Sequence, residues 1–168
     1  MKIGILSDTH NHTANTETAL ATFRERGLTR LIHCGDITSA QIVLLFAGWG
    51  VTFVLGNMDQ NRDELVDATR MIGASPPLFS RRVEVDAKRI GVTHGADSGL
   101  LYRMLIGHQY DYVCHGHTHQ RRDQFLSEYG VRLINPGALG GIKQQTRSVC
   151  ILDTETGDVE FIEFPEMP

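Results

Sequence analysis

The stretch YVCHGHTHQRR, residues 112–122, runs from an apolar segment into three histidines at alternate positions, His115, His117 and His119. Imidazoles spaced two apart fit a strand end or a tight loop, and three neutral imidazoles are seldom needed for packing. The spacing points to a metal if carboxylates complete the set. Alone, a short His-rich tract is also what chance surface polarity or an adventitious metal scavenger looks like. The same stretch divides the chain. Upstream of it, apolar runs alternate with segments of helical spacing; downstream, extended segments follow one another through turns.

The upstream runs are Ile3 to Leu6, Leu31 to His33, Val51 to Leu55, Arg89 to Thr93 and Tyr110 to His115. They are short, rich in β-branched or aromatic residues, and followed by Gly, Ser, Asp or His, which predicts buried strands. Between them, Thr16 to Arg26, Ala40 to Ala47, Asn61 to Ile72 and Gly99 to Ile106 have helical spacing. Alternating strand and helix predicts an α/β fold with a mainly parallel sheet over the first two-thirds. After residue 120, strands are expected at Asp123 to Glu128, Val131 to Ile134, Arg147 to Asp153 and Val159 to Phe164, mostly antiparallel, with Thr154 to Asp158 as a hairpin loop. Gly73 to Leu78 is too short to separate domains, so residues 1–168 read as one domain.

At 168 residues the chain is long enough to bury roughly two-thirds of its unfolded surface around one core. Sixteen Lys plus Arg against 20 Asp plus Glu give a formal charge of −4. No long run of either sign occurs, which disfavours nucleic-acid binding driven by bulk positive charge. Cys34, Cys114 and Cys150 are odd in number and lie in or beside apolar segments, so they read as buried thiols of a cytoplasmic protein. The apolar stretch in MKIGILSDTH is too short for a signal peptide or a membrane span.

Polar donors gather where the strands end. Ser7-Asp8-Thr9-His10 follows the first, His33-Cys34-Gly35-Asp36 the second and Gly56-Asn57-Met58-Asp59 the third; His94-Gly95 and Gly116-His117-Thr118-His119 follow the next two. In a parallel sheet these carboxyl ends lie side by side, the usual place for a binding site. Two Asp, one Asn and four His are too many for one tetrahedral ion and suit two ions of the Zn, Mn, Fe or Co kind. Two such cations repel and need a shared anion, for which Asp36 is the candidate. Asn57 would add a ligand without adding charge.

The order Asp8-x-His10, Gly35-Asp36, Gly56-Asn57, His94-Gly95, Gly116-His117-x-His119 resembles the calcineurin-like metallophosphoesterase superfamily. The turn Asn135-Pro136-Gly137 extends the likeness to its small single-domain YfcE-type phosphodiesterases. This resemblance implies an αββα sandwich, two stacked mixed β-sheets flanked by helices. It also implies a phosphodiesterase with two divalent transition-metal ions, manganese first, with nickel, cobalt, iron or zinc as alternatives. Asp8, His10, Asp36 and His119 would hold one ion, and Asp36, Asn57, His94 and His117 the other. His115 is left to pack or to support them.

Hydrolysis is then expected by attack of a metal-bridging hydroxide on a small phosphodiester, with no protein nucleophile. Ser7 and Thr9 are assigned structural roles, since neither has an evident base. One departure matters: many larger relatives carry a histidine after the motif Asn, and here the residue is Met58. Without that acid, activated aryl diesters should turn over better than alkyl ones. Asp59 is expected to orient a ligand histidine, or else to act as the acid. Asn11 and His12 are the other candidates for phosphate contact or proton delivery, against helix capping and a solvated loop. Arg121-Arg122 could attract an anionic substrate or merely start an exposed strand. The alternatives are a phosphomonoesterase or nucleotidase of the same fold, and a non-catalytic scaffold like the retromer subunit that shares it. A homo-oligomer is expected only because subgroup members tend to associate.

Overall fold

The computed structural model describes residues 1–141 and 146–164; the rest of the 1–168 span read as one domain lies outside the described residues. Along the chain run β1 (Lys2–Leu6), α1 (Thr13–Glu25), β2 (Arg30–His33), α2 (Ala40–Leu44), β3 (Gly50–Phe53) and α3 (Arg62–Met71). Then come β4 (Ser80–Val85), β5 (Lys88–Thr93), α4 (Ser98–Ile106), β6 (Tyr112–Cys114), β7 (Arg122–Leu126), β8 (Val131–Asn135), β9 (Arg147–Asp153) and β10 (Val159–Phe164).

These strands form two mixed sheets of five, in the orders β10-β9-β1-β2-β3 and β4-β5-β6-β8-β7. The first carries its parallel strands at one side and an antiparallel pair at the other; the second has a parallel centre between antiparallel edges. In the first, β1, β2 and β3 are parallel and β9 and β10 antiparallel. In the second, β5, β6 and β8 are parallel, with β4 and β7 antiparallel at the edges.

The alternation of side chains explains the layering. Ile3 and Ile5 of β1, Cys150 and Leu152 of β9, Ile90 and Val92 of β5 and Cys114 of β6 meet in one core between the sheets. Leu6, Leu31, Phe53, Val149 and Ile151 face the other way, into a core under the first three helices with Leu20, Phe23, Ile42, Phe46 and Leu65. On the second sheet, Val113, Val131 and Leu133 point outward against Met104 of α4 and its neighbours. The result is helix, sheet, sheet, helix. All three cysteines are buried and unpaired among the described residues. No helix among those residues is long and apolar enough to cross a membrane.

Two expectations need correction. The parallel strands do not make a single sheet: β5 and β6 leave the first sheet and found the second. The later third is not simply antiparallel either, because β8 pairs parallel with β6. The run at residues 80–85 is an edge strand that forms a hairpin with β5, with Arg82 paired with Glu84. The turn between β9 and β10 falls where expected.

Candidate metal centre

The parallel strands of both sheets point their carboxyl ends to one side, and the loops leaving β1, β2, β3, β5 and β6 meet there. The backbone of these loops is unusual. Asp8, His10, Asn11, Asp36, Thr38, His117 and His119 all have φ between 41° and 73°. Left-handed backbone is uncommon for residues with a Cβ, and such strain tends to collect where function demands it.

Asp8 is completely buried and divides its two oxygens between tasks. Oδ2 accepts the Ser7 hydroxyl at 2.5 Å and the His117 backbone amide at 3.1 Å. Oδ1 is buried without a hydrogen-bond donor and lies 3.2 Å from His119 Nε2, 3.7 Å from His10 Nε2 and 4.0 Å from His94 Nε2. Burial pushes the Asp8 pKa up. The close imidazoles of His10, His119 and His94, with the Ser7 hydroxyl, overcome it and hold the carboxyl well below its ordinary value.

His94 is oriented from behind. Its Nδ1 lies 2.8 Å from the Cys34 carbonyl, which can only accept, so Nδ1 carries the proton. Nε2 then faces Asn57 Oδ1 at 3.1 Å and Asp36 Oδ2 at 3.4 Å. In neutral His94, three acceptors converge with no proton among them, an arrangement that a cation satisfies. Burial lowers the His94 pKa, but the Asp36 hydrogen bond and the charges of Asp8 and Asp36 outweigh it and raise the value.

Two groups of donors have the spacing of an ion site, Asp8 with His10 and His119, and Asp8 with Asp36 and His94. The carboxylate common to both is Asp8. Asp36 also lies between them, its Oδ2 3.6 Å from His10 Nε2 and 3.4 Å from His94 Nε2. His117 stands edge-on to His94 with ring centroids 5.2 Å apart, is exposed, and lies outside both groups. The donor set fits hard-to-borderline divalent ions: oxygen and imidazole ligands, an unpaired buried oxygen, and no thiolate.

Asp59 does not contact a histidine. It is 2% exposed, with Oδ2 accepting the amides of Asp36 and Gly56 at 3.1 and 2.7 Å and Oδ1 that of Thr38 at 2.7 Å. It clamps the β2 and β3 loops together, which corrects the expectation that it orients a ligand ring. Burial raises its pKa against the pull of those amides. Asn11 does not cap α1; the capping position is His12, which forms no side-chain capping bond. Asn11 instead accepts the Ser39 hydroxyl. His12 is exposed, and its ring is bonded to none of the described residues. Arg121 is paired with Glu163 and Arg122 with Gln124, so neither is directed at the centre.

Sequence reasoning gave no role to His33. It is fully buried, its Nδ1 accepts the Gly35 amide at 3.2 Å, and Nε2 lies 3.2 Å from Thr9 Oγ1. Since Nδ1 accepts, Nε2 donates, and the Thr9 hydroxyl passes its own hydrogen to the Asp36 carbonyl. This chain of bonds ties the β1 loop to the β2 loop. Burial lowers the His33 pKa to about 3. The available signal was a histidine closing an otherwise apolar strand three residues before a ligand aspartate.

A model of the calcineurin-like phosphoesterase superfamily domain matches residues 1–157. The chain belongs to the calcineurin-like phosphoesterase superfamily. Within it, phosphodiesterase MJ0936 of Methanocaldococcus jannaschii is 33% identical over 158 residues, 92% of this chain and 94% of that protein. Among solved superfamily structures, an archaeal phosphodiesterase superposes with a TM-score of 0.88 at 32% identity, covering 98% of this chain and 100% of the other. The E. coli phosphoesterase YfcE has the same fold at a TM-score of 0.70 and 20% identity, covering 96% and 98%.

Proposed function

We propose that the chain is a dinuclear metal-dependent phosphodiesterase. The observation that carries this reading is the meeting of His94 Nε2, Asn57 Oδ1 and Asp36 Oδ2 beside the unpaired, buried Asp8 Oδ1. Asp8, His10, Asp36 and His119 would hold one ion, and Asp36, Asn57, His94 and His117 the other, with Asp36 and Asp8 both in reach of a bridging place. When bound, such ions supply a nucleophilic hydroxide at neutral pH and neutralise charge on the phosphoryl oxygens.

The chain's own residues set the conditions for that chemistry. Four imidazoles and the Asn57 amide contribute lone pairs without charge, so two carboxylates do not cancel the cations and an anionic diester is attracted. The Cys34 carbonyl fixes the His94 tautomer. The Asp59 and His33 clamps hold three loops in register, and misplacing a reacting group by about 1 Å can cost roughly a hundredfold in rate. The position after Asn57 is taken by exposed Met58, which has no proton to give a leaving group. This favours esters whose leaving groups need no proton, and the reading extends to monoesters only as a weaker activity.

The test is hydrolysis of bis-p-nitrophenyl phosphate by chelator-stripped protein, with Mn, Ni, Co, Zn and Mg restored one at a time. Metal-dependent release, abolished in Asn57→Ala and weaker with the mono-ester, is the expected result. Release by no metal from protein that binds two ions would overturn it.

A further inference from the structure

Beside Asn57 and His94 the surface opens into a recess of about 310 Å³, walled by Leu55, Leu100, Phe79 and Arg62. Its size is at the lower end for small-ligand pockets, enough for one ring system rather than an extended chain. Two features of its wall are unusual for a plain surface. Phe79 is 53% exposed, yet its backbone is pinned on both sides. The Leu55 amide donates to the Leu78 carbonyl at 2.8 Å, and the Thr93 hydroxyl donates to the Phe79 carbonyl at 3.2 Å. An aromatic ring is thus held in solvent on a fixed frame, next to the donors of the metal centre. Its face is covered by a flat cation, with Arg62 Cζ 4.7 Å from the ring centroid.

Resting on the phosphoesterase reading of the adjoining centre, we infer that this recess is the subsite for an aromatic substituent of the phosphate ester, a nucleobase or an aryl group. The incoming ring takes the place of the guanidinium on Phe79. Displaced, Arg62 is a cation at the edge of the centre, free to pair with a phosphoryl oxygen. The exchange suits both partners: the ring gains an apolar platform, and the Arg charge moves from a quadrupole to a full anion. An alkyl ester would fill the recess without the stacking and leave Arg62 where it lies.

The probes are phenylphosphonate and methylphosphonate, which share a hydrolysis-resistant head and differ by the ring, titrated calorimetrically into protein loaded with Mn²⁺. Wild type should bind the phenyl compound at least about fivefold more tightly, the lower range for a ring stacked on an aromatic side chain. Phe79→Ala should lose most of that preference while its methylphosphonate affinity stays the same, and Phe79→Trp should keep it. Arg62→Ala should weaken phenylphosphonate and leave methylphosphonate unchanged, because only the ring releases Arg62 to the phosphoryl oxygen. Equal affinities in wild type, or a preference that survives in Phe79→Ala, would overturn the inference. Equal weakening of both phosphonates in Arg62→Ala would contradict the exchange. Affinity is read without turnover, so a protein that prefers the ring but cleaves no diester refutes the proposed activity alone. One that cleaves diesters without preferring the ring refutes this inference alone.

Discussion

The two halves of the proposed metal centre are shaped by different means. Around His10 and His119, conformation does the work: Asp8, His10 and His119 all sit in left-handed backbone. The Gly140-Gly141 segment passes so close that a Cβ on Gly141 would lie 2.9 Å from the His119 ring. Nothing fixes the far nitrogen of His119, whose Nδ1 is buried without a partner among the described residues. Around His94, hydrogen bonds do the work. Asp36 and His117 are left-handed here too, but His94 and Asn57 have ordinary backbone, the Cys34 carbonyl sets the ring, and Asp59 and His33 anchor the loops from beneath. Both halves therefore depend on residues that lack a side chain, since a Cβ on Gly56 would lie 2.1 Å from Asp36 Oδ1, and the second depends also on which polar partners stay in place.

Gly116 tests the first dependence most severely. A Cβ there would fall 1.9 Å from Ser7 Oγ and 2.4 Å from Asp8 Oδ2. Gly116→Ala should lower kcat/KM for an aryl diester at least about a hundredfold. Gly130→Ala, with nothing within 4 Å of its Cβ, should leave kcat/KM unaltered; equal effects would erase the distinction.

Asp59 tests the second. Asp59→Ala leaves three buried amides without an acceptor and should cost about 2–3 kcal/mol of stability in the metal-free protein, read by urea unfolding. A stable variant that instead lost the acid limb of the pH-rate profile would restore Asp59 as a proton donor.

His33 carries a pH signature. Its folded pKa, about 3, lies below its ordinary value, so between the two the unfolded chain binds the extra proton. Stability from this group is complete above the ordinary histidine value and falls as pH drops towards 3. Between pH 7 and pH 5 this loss is about 2 kcal/mol. His33→Gln should make the decline in unfolding free energy shallower by that amount. Buried His115, lowered by burial to about 4, adds a decline of its own in both proteins. An unchanged slope would remove His33 from the account.

Smaller effects follow at the periphery. Ser7→Ala deprives Asp8 Oδ2 of one of two donors and should weaken manganese binding about tenfold, as loss of a group supporting a ligand typically does. Arg121→Ala breaks an exposed pair with Glu163 and should change stability by less than about 1 kcal/mol. Its kcat/KM should not move; a large fall would give Arg121 the part in drawing substrate that its pairing denies it.

Much of this was legible in the chain. Apolar runs such as Ile3 to Leu6 and Arg147 to Asp153 mark strands because both faces of a central strand are buried. Donors such as Asp8, Asp36 and His94 stand out because they close those runs. Pairing was not legible, since β6 meets β8 across an intervening edge strand and no local pattern records that register. Nor were the tasks of Asp59 and His33, which exist only where loops distant in sequence meet. Phe79 gave no signal at all, because an exposed aromatic acquires meaning only from the recess it borders.

The account stands most directly on the number of ions the centre holds. Calorimetric titration of Mn²⁺ into chelator-stripped protein should give two ions per chain, falling to one in His94→Ala. A single ion in the wild type, or two retained in His94→Ala, would contradict a centre built from two halves.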